Sequence, residues 1–191
     1  MAALTVACSS SDGRELPPPD PNNTTTSVSA PVVGQPSEGD GDIVEVFSLT
    51  SSAFLQGAVI PARYTCAGSN VSPPLAWAST PPAAELALVV RDRDADGFVH
   101  WVVTGIDPAV QGMGEGGLPE GAVEALTSAG TAGWYGPCPP AGSGTHAYDF
   151  VLHALARPVD LMTGLPAAEA AAQVERASTG SATLTGVVSA G

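Results

Sequence analysis

Positive charge is scarce in this chain. Of 191 residues, 6 are Lys or Arg against 19 Asp or Glu, for a formal net charge of −13. Binding to nucleic acid needs clustered cations that neutralise phosphates, so that class is excluded. Docking on anionic lipid through a basic patch is excluded on the same ground. Cysteine is scarcer still, with 3 residues and no C-x-x-C spacing, so no thiolate zinc site is expected. No apolar run approaches the length of a membrane-spanning helix.

Turn-formers are abundant. The chain has 22 Gly and 18 Pro, and they separate many short apolar runs. That pattern predicts a mainly β domain, and the length allows one ordinary domain plus a tail.

Residues 1–11 read M-A-A-L-T-V-A-C-S-S-S. A short apolar run ending in small residues before Cys8 looks like the end of a bacterial lipoprotein signal peptide, with Cys8 the acylated residue. A basic start is lacking and only seven residues precede the cysteine. Either the signal begins upstream of Met1 or the motif is fortuitous, with Cys8 a stray cysteine in a disordered end. Residues 9–41 are rich in Pro, Ser, Thr, Asn, Gly and Asp, with no apolar periodicity. They read as a disordered tether, which suits a domain held off a membrane and equally any disordered tail. Exported, extracytoplasmic attachment through a lipid is the expectation, with the folded domain spanning residues 42–191.

Within that domain, alternation predicts strands at Ile43–Leu49, Val59–Tyr64, Leu75–Trp77, Leu86–Val90, Phe98–Val103, Ala147–Leu155 and Ala182–Val188. Pro61 implies an edge or a bulge. Gln111–Gly121 reads as a surface loop. Pro166–Ala177 reads as the one clear helix, with proline near its first turn and strong helix formers after it.

The chemistry concentrates at Arg91–Val103, R-D-R-D-A-D-G-F-V-H-W-V-V. Asp92, Asp94, Asp96 and His100 fall between two runs that read as buried strands. A loop held by two core strands while its polar groups stay wet is a common place for binding. A histidine inside an apolar strand needs a partner there. The aspartates could draw a hard cation, but the remaining ligands of a calcium loop are missing, so no metal site is expected. A hydrolase would also need a nucleophile, and no serine or cysteine sits in a recognisable nucleophile motif. The chain is therefore expected not to be an enzyme.

Four stretches agree in order and spacing with one family. They are P-A-R-Y-T-C-A-G-S-N-V-S-P-P-L-A-W (61–77), the 91–103 stretch, W-Y-G-P-C-P-P (134–140) and G-T-H-A-Y-D-F-V-L-H-A-L (144–155). Together they resemble the phosphatidylethanolamine-binding protein family, and most closely its bacterial YbhB/YbcL, or Raf-kinase-inhibitor-like, branch. The resemblance runs from about Val44 to Val188. It implies an antiparallel β-sandwich with Greek-key connections and a small anion pocket at one end, taking phosphate-like or carboxylate groups such as a phospholipid headgroup.

By resemblance, the ligand-binding residues are Asp92, Asp94, His100, Pro139, Pro140, Gly144, His146 and Tyr148. Asp92 would orient an imidazole, His100 and His146 would donate to the anion, and Tyr148 would form a wall with a further donor. Three positions depart from the family pattern. Arg93 and Asp96 replace prolines of its D-P-D-x-P motif, and Ala147 replaces an arginine. The last two lower the positive potential near the pocket. His153, Trp77 and Trp101 are expected outside the site. Cys66 and Cys138 lie in loops whose family motifs should meet near the pocket. In an exported domain they are expected to form a disulfide, with two buried free thiols as the alternative. Kinase and protease inhibition elsewhere in the family implies a second function, inhibition of a partner enzyme by protein contact. Fold-level analogy is weak support for it.

Overall fold

The computed structural model describes residues 46–162 and 164–190. Cys8, the signal-peptide remnant, the 9–41 tether and the start of the domain at 42 lie outside them.

The described chain is built on two antiparallel sheets. β1 (Ser48–Thr50), β2 (Leu75–Ala78) and β5 (Gly112–Met113) form a small sheet in the order β1-β2-β5. β3 (Glu85–Asp92), β4 (Val99–Ile106), β6 (Val123–Glu124), β7 (Thr145–Leu155) and β8 (Ser178–Ser189) form the large one, in the order β6-β4-β3-β7-β8. The chain leaves the large sheet after β4 to add β5 to the small one, returns as β6 beside β4, and then sets β7 beside β3. The expected mainly β sandwich is the fold observed.

β3 is buried on both faces, as a central strand covered on both sides must be. Leu86, Leu88 and Val90 face the layer between the sheets, with Phe54, Trp77, Trp101, Phe150 and Leu152. Ala87 and Val89 face α1 (Ala167–Ala177) across the other surface. Ala167, Ala170, Ala171 and Val174 of that helix fall at the i, i+3, i+4, i+7 spacing of one helical face, so small side chains let it lie close on the sheet.

Three sequence expectations need correction. The first strand, expected at Ile43–Leu49, is Ser48–Thr50, with Val46 and Phe47 outside the ladder. Val59–Tyr64 is not a strand. Val59 makes one isolated bridge to Val187, Ile60 donates to the Val187 carbonyl, and Ala62–Tyr64 is a single 3-10 turn. Pro61 has no N–H for a ladder, which limits the pairing to that bridge. Gln111–Gly121 is not all loop, because Gly112–Met113 pairs with β2. A side chain on Gly112 would lie 2.6 Å from the Leu75 carbonyl oxygen, so the close approach of this edge requires glycine.

Candidate functional site: a histidine-lined cavity at one end of the sandwich

At one end of the inter-sheet layer the inward rows of β3 and β7 change from apolar to polar. On β3 the row Leu86, Leu88, Val90 continues to Asp92; on β7 Leu152 and Phe150 continue to Tyr148 and His146. Asp92 is the register partner of Tyr148. Asp92, Tyr148, His146 and, from β4, His100 are all buried, and they line a cavity of about 200 Å³ with Ala95, Phe98, Tyr135, Cys138, Pro139 and Pro140.

His100 reaches this cavity through an irregularity in its strand. Val90 pairs with Trp101 while Arg91 pairs with Val99, so His100 is an extra residue in β4 with no partner on β3. Such a bulge bends the strand and re-aims one side chain. The displaced residue is gripped elsewhere. Its carbonyl accepts from Tyr135 N–H at 3.1 Å, and its Nδ1–H donates to the Tyr135 carbonyl at 2.6 Å. The ring packs between Phe98, at 4.8 Å, and Tyr148, at 5.1 Å and nearly perpendicular.

His146 is held differently. Its Nδ1–H donates to Asp92 Oδ2 at 2.7 Å, and Asp92 Oδ1 accepts from Asp94 N–H at 2.8 Å. A carbonyl and a carboxylate can only accept, so both rings carry a proton on Nδ1, and Nε2 is the nitrogen left to a ligand. When a ring is neutral that atom is an acceptor, and it donates only when the ring is protonated. This refines the expectation of two imidazole donors. Burial lowers the His100 pKa, an effect opposed by its bond to the Tyr135 carbonyl and by the Asp92 charge.

Tyr148 is fully buried, and its hydroxyl makes no well-formed hydrogen bond among the described residues, although the Asp92 carboxylate lies near enough to act on it. Burial first, and then the nearby Asp92 carboxylate, hold its phenol far above the ordinary range, so it stays protonated. A protonated phenol without a well-formed hydrogen bond is a donor available to a ligand.

The rim segment is tied to the rest of the domain at several points. The expected Cys66–Cys138 disulfide is formed, with the two Cα atoms 5.4 Å apart and 72 residues separating them in sequence. Beside it, Cys66 N–H donates to the Pro137 carbonyl, Gly136 N–H to Asn70 Oδ1 and Trp134 Nε1–H to the Tyr64 carbonyl. A Cβ on Gly136 would lie 2.3 Å from Asn70 Oδ1 and 2.8 Å from the Tyr64 carbonyl oxygen, so only glycine fits.

The cavity therefore gathers Asp92, His100, Pro139, Pro140, His146 and Tyr148. It does not include Asp94 or Gly144. Asp94 Oδ2 accepts from Ala147 N–H at 2.8 Å, fastening the loop after β3 to β7. Gly144 has φ 91° and its carbonyl accepts from Ala190 N–H, so its place is at the turn into β7. Asp92 orients His146, while His100 takes its orientation from a backbone carbonyl. Phe98, Ala95, Tyr135 and Cys138 are lining residues the sequence reading passed over. The 134–140 motif was the available signal, but a main-chain acceptor leaves no trace in residue type.

Asp96 is exposed and is not a wall of the cavity. Its φ of 49° is closed to proline, so the loop in this chain takes a path that a proline there would forbid. Arg93 is an ion-pair partner of Asp149 on β7. His153 is a buried, satisfied histidine bonded to Ser178 Oγ, and Trp77 and Trp101 belong to the core.

A family model described as phosphatidylethanolamine-binding protein matches residues 50–189. The chain belongs to the phosphatidylethanolamine-binding protein family. Among its relatives, a Mycobacterium tuberculosis protein named "Putative lipoprotein LppC" is 42% identical over 177 residues, covering 92% of this chain and 84% of that one. A UPF0098 protein of the same organism is 43% identical over 144 residues, 74% of this chain and 70% of the relative. Among solved structures, E. coli YbcL, described as a member of the mammalian PEBP family, superposes with a TM-score of 0.70 at 29% identity. It matches 74% of this chain and 96% of its own. The homologue CT736 of Chlamydia trachomatis gives 0.67 at 32% identity, over 75% and 97%.

Proposed function

We propose that this member of the family is a non-enzymatic binding protein whose cavity holds a small oxyanion, a phosphate or carboxylate group that is free or part of a lipid headgroup. The observation that carries this reading is the Tyr148 hydroxyl, fully buried on the cavity wall with no well-formed hydrogen bond among the described residues. Leaving such a group unsatisfied costs about 1–3 kcal/mol, which a ligand oxygen would recover. The two Nε2 atoms add a constraint. With His100 neutral, its Nε2 accepts, so a singly protonated phosphate fits better than a fully ionised one. Among the described residues no serine or threonine lines the cavity, and Cys138 is bound in the disulfide, so no side-chain nucleophile stands beside the imidazoles.

We also propose that the chain is exported and carried at the extracytoplasmic face of a membrane by a lipid on Cys8. The likeness to a relative named as a lipoprotein supports this, since 92% coverage reaches well ahead of residue 46. The disulfide also suits an oxidising compartment.

The test is a thermal-shift titration of the full chain with phosphate, phosphoethanolamine and acetate, beside His100→Ala and His146→Ala. A ligand at about 100 times its Kd stabilises by ~2.7 kcal/mol. Stabilisation by phosphate compounds that both variants abolish supports the reading. No response to any anion would overturn it and turn attention to inhibition of a partner enzyme.

A further inference from the structure

Five of the six basic residues lie in the described chain, and all five are arginines. Three are matched by carboxylates: Arg63 by Glu115, Arg91 by Glu175 and Arg93 by Asp149. Arg157 and Arg176 have neither an ion pair nor a side-chain hydrogen bond among the described residues. Both line one cleft of about 420 Å³, with Gln173, Asp160, Pro158 and Val159. They reach it from separate elements. Arg157 follows the end of β7, and Arg176 stands in the last turn of α1.

A single unpaired arginine at a surface carries no message, since water satisfies it. The negative end of a helix explains why Arg176 alone would stand where it does. It does not explain a second guanidinium, from another element, in the same concavity of a chain with a formal net charge of −13. Two planar forks in one cleft match the geometry of an oxyanion bound through paired N–H donors. The cleft is larger than an inorganic ion needs and falls in the range of small-ligand sites. Gln173 and Asp160 add hydrogen-bonding groups for hydroxyls on the rest of such a molecule.

We propose that this cleft is a second ligand site, taking a small hydroxylated phosphate monoester between Arg157 and Arg176. It is separate from the histidine cavity. His146 and Leu155 stand near opposite ends of β7, so at strand rise the two sites are roughly 30 Å apart.

The experiment follows the arginine Nε–Hε signals of the isotope-labelled full chain by NMR during titration with glycerol 3-phosphate. The signals of Arg157 and Arg176 should shift and saturate while those of Arg63, Arg91 and Arg93 stay in place. Arg157→Gln and Arg176→Gln should each weaken the affinity about tenfold or more. Both positions are exposed and both substitutions keep a polar side chain, so the fold is retained. The same titration on His146→Ala should leave the two arginine shifts unchanged, which separates this site from the proposed function of the cavity. Absence of a saturable shift, parallel shifts of all five arginines, or unaltered affinity in the Gln variants would overturn the proposal.

Discussion

The two histidine walls of the cavity solve one problem in two ways. Both rings point Nδ1–H at an acceptor and leave Nε2 to the cavity. On β7 the acceptor is the Asp92 carboxylate, supplied by a neighbouring strand of the same sheet. On β4 it is the Tyr135 carbonyl, supplied by an irregular segment that the disulfide fastens. A carboxylate can accompany a protonated ring in a charge-assisted bond. A carbonyl holds the ring's orientation without bringing a charge. The β7 wall is therefore specified by side chains in a regular ladder, and the β4 wall by main chain and covalent bonding.

The largest test of this difference removes the covalent support. In the chain-entropy picture a loop of 72 residues closed by a disulfide contributes roughly 4 kcal/mol. Cys66→Ser with Cys138→Ser should lower unfolding stability by about that amount in urea titrations. Hydrogen exchange should rise first across 134–140 while β7 amides stay protected. Equal loosening of both walls would refute the contrast.

Asp92→Ala strikes the other wall. It deprives the buried His146 Nδ1–H and the part-buried Asp94 N–H of their acceptor, a loss of roughly 2 kcal/mol, most of it at the ring. No side-chain change at Tyr135 can do the same to His100, because the acceptor is main chain. Tyr135→Phe should therefore cost under about 0.5 kcal/mol, as a substitution that leaves the bond in place. Denaturation of the two variants side by side measures the asymmetry.

The pH dependence is a smaller effect. The pKa of His100, and that of His153, is lowered in the folded state, by burial in both cases. The unfolded chain then binds more protons below about pH 6.5, so stability is complete above that value and falls as the pH drops toward the folded pKa. Each histidine adds at most about 1.4 kcal/mol per pH unit to the slope. His100→Gln should flatten the fall in Tm between pH 7 and 5 by one proton's worth, and an unchanged slope would contradict a neutral His100.

Tyr148→Phe should change least without ligand. Its hydroxyl makes no well-formed hydrogen bond among the described residues, so removal is neutral or slightly stabilising in calorimetry, while phosphate-dependent stabilisation should shrink. A clear loss of stability in the free protein would mean that the hydroxyl already has a partner.

Much of the architecture could be read in advance because the signals were periodic. The alternation at 147–155 and the apolar run at 86–90 became the expected strands, extended by a few residues where ladders continue past the apolar signal, and the alanine-rich 166–177 stretch became the helix Ala167–Ala177. Val59–Tyr64 misled because a short apolar run has the same composition whether it enters a ladder or only touches one. Within the site, the expectations that placed residues on the cavity concerned inward-facing ladder positions such as Asp92, His146 and Tyr148, the bulged His100, and the rim prolines Pro139 and Pro140. Asp94 and Gly144 stand off the cavity because the Asp94 carboxylate is taken by the Ala147 N–H and Gly144 makes the turn into β7. The Tyr135 carbonyl had no signature at all, since every residue type offers one.

The extra residue at position 100 allows the domain to change its chemistry independently of its folding code. Trp101 and Val102 keep their pairing with Val90 and Val89, and Val99 keeps its pairing with Arg91, whatever stands between them. An inserted position that the ladder does not count can be exchanged without re-registering the sheet. Relatives of this chain could then diverge in what they bind while the sandwich around the site stays the same.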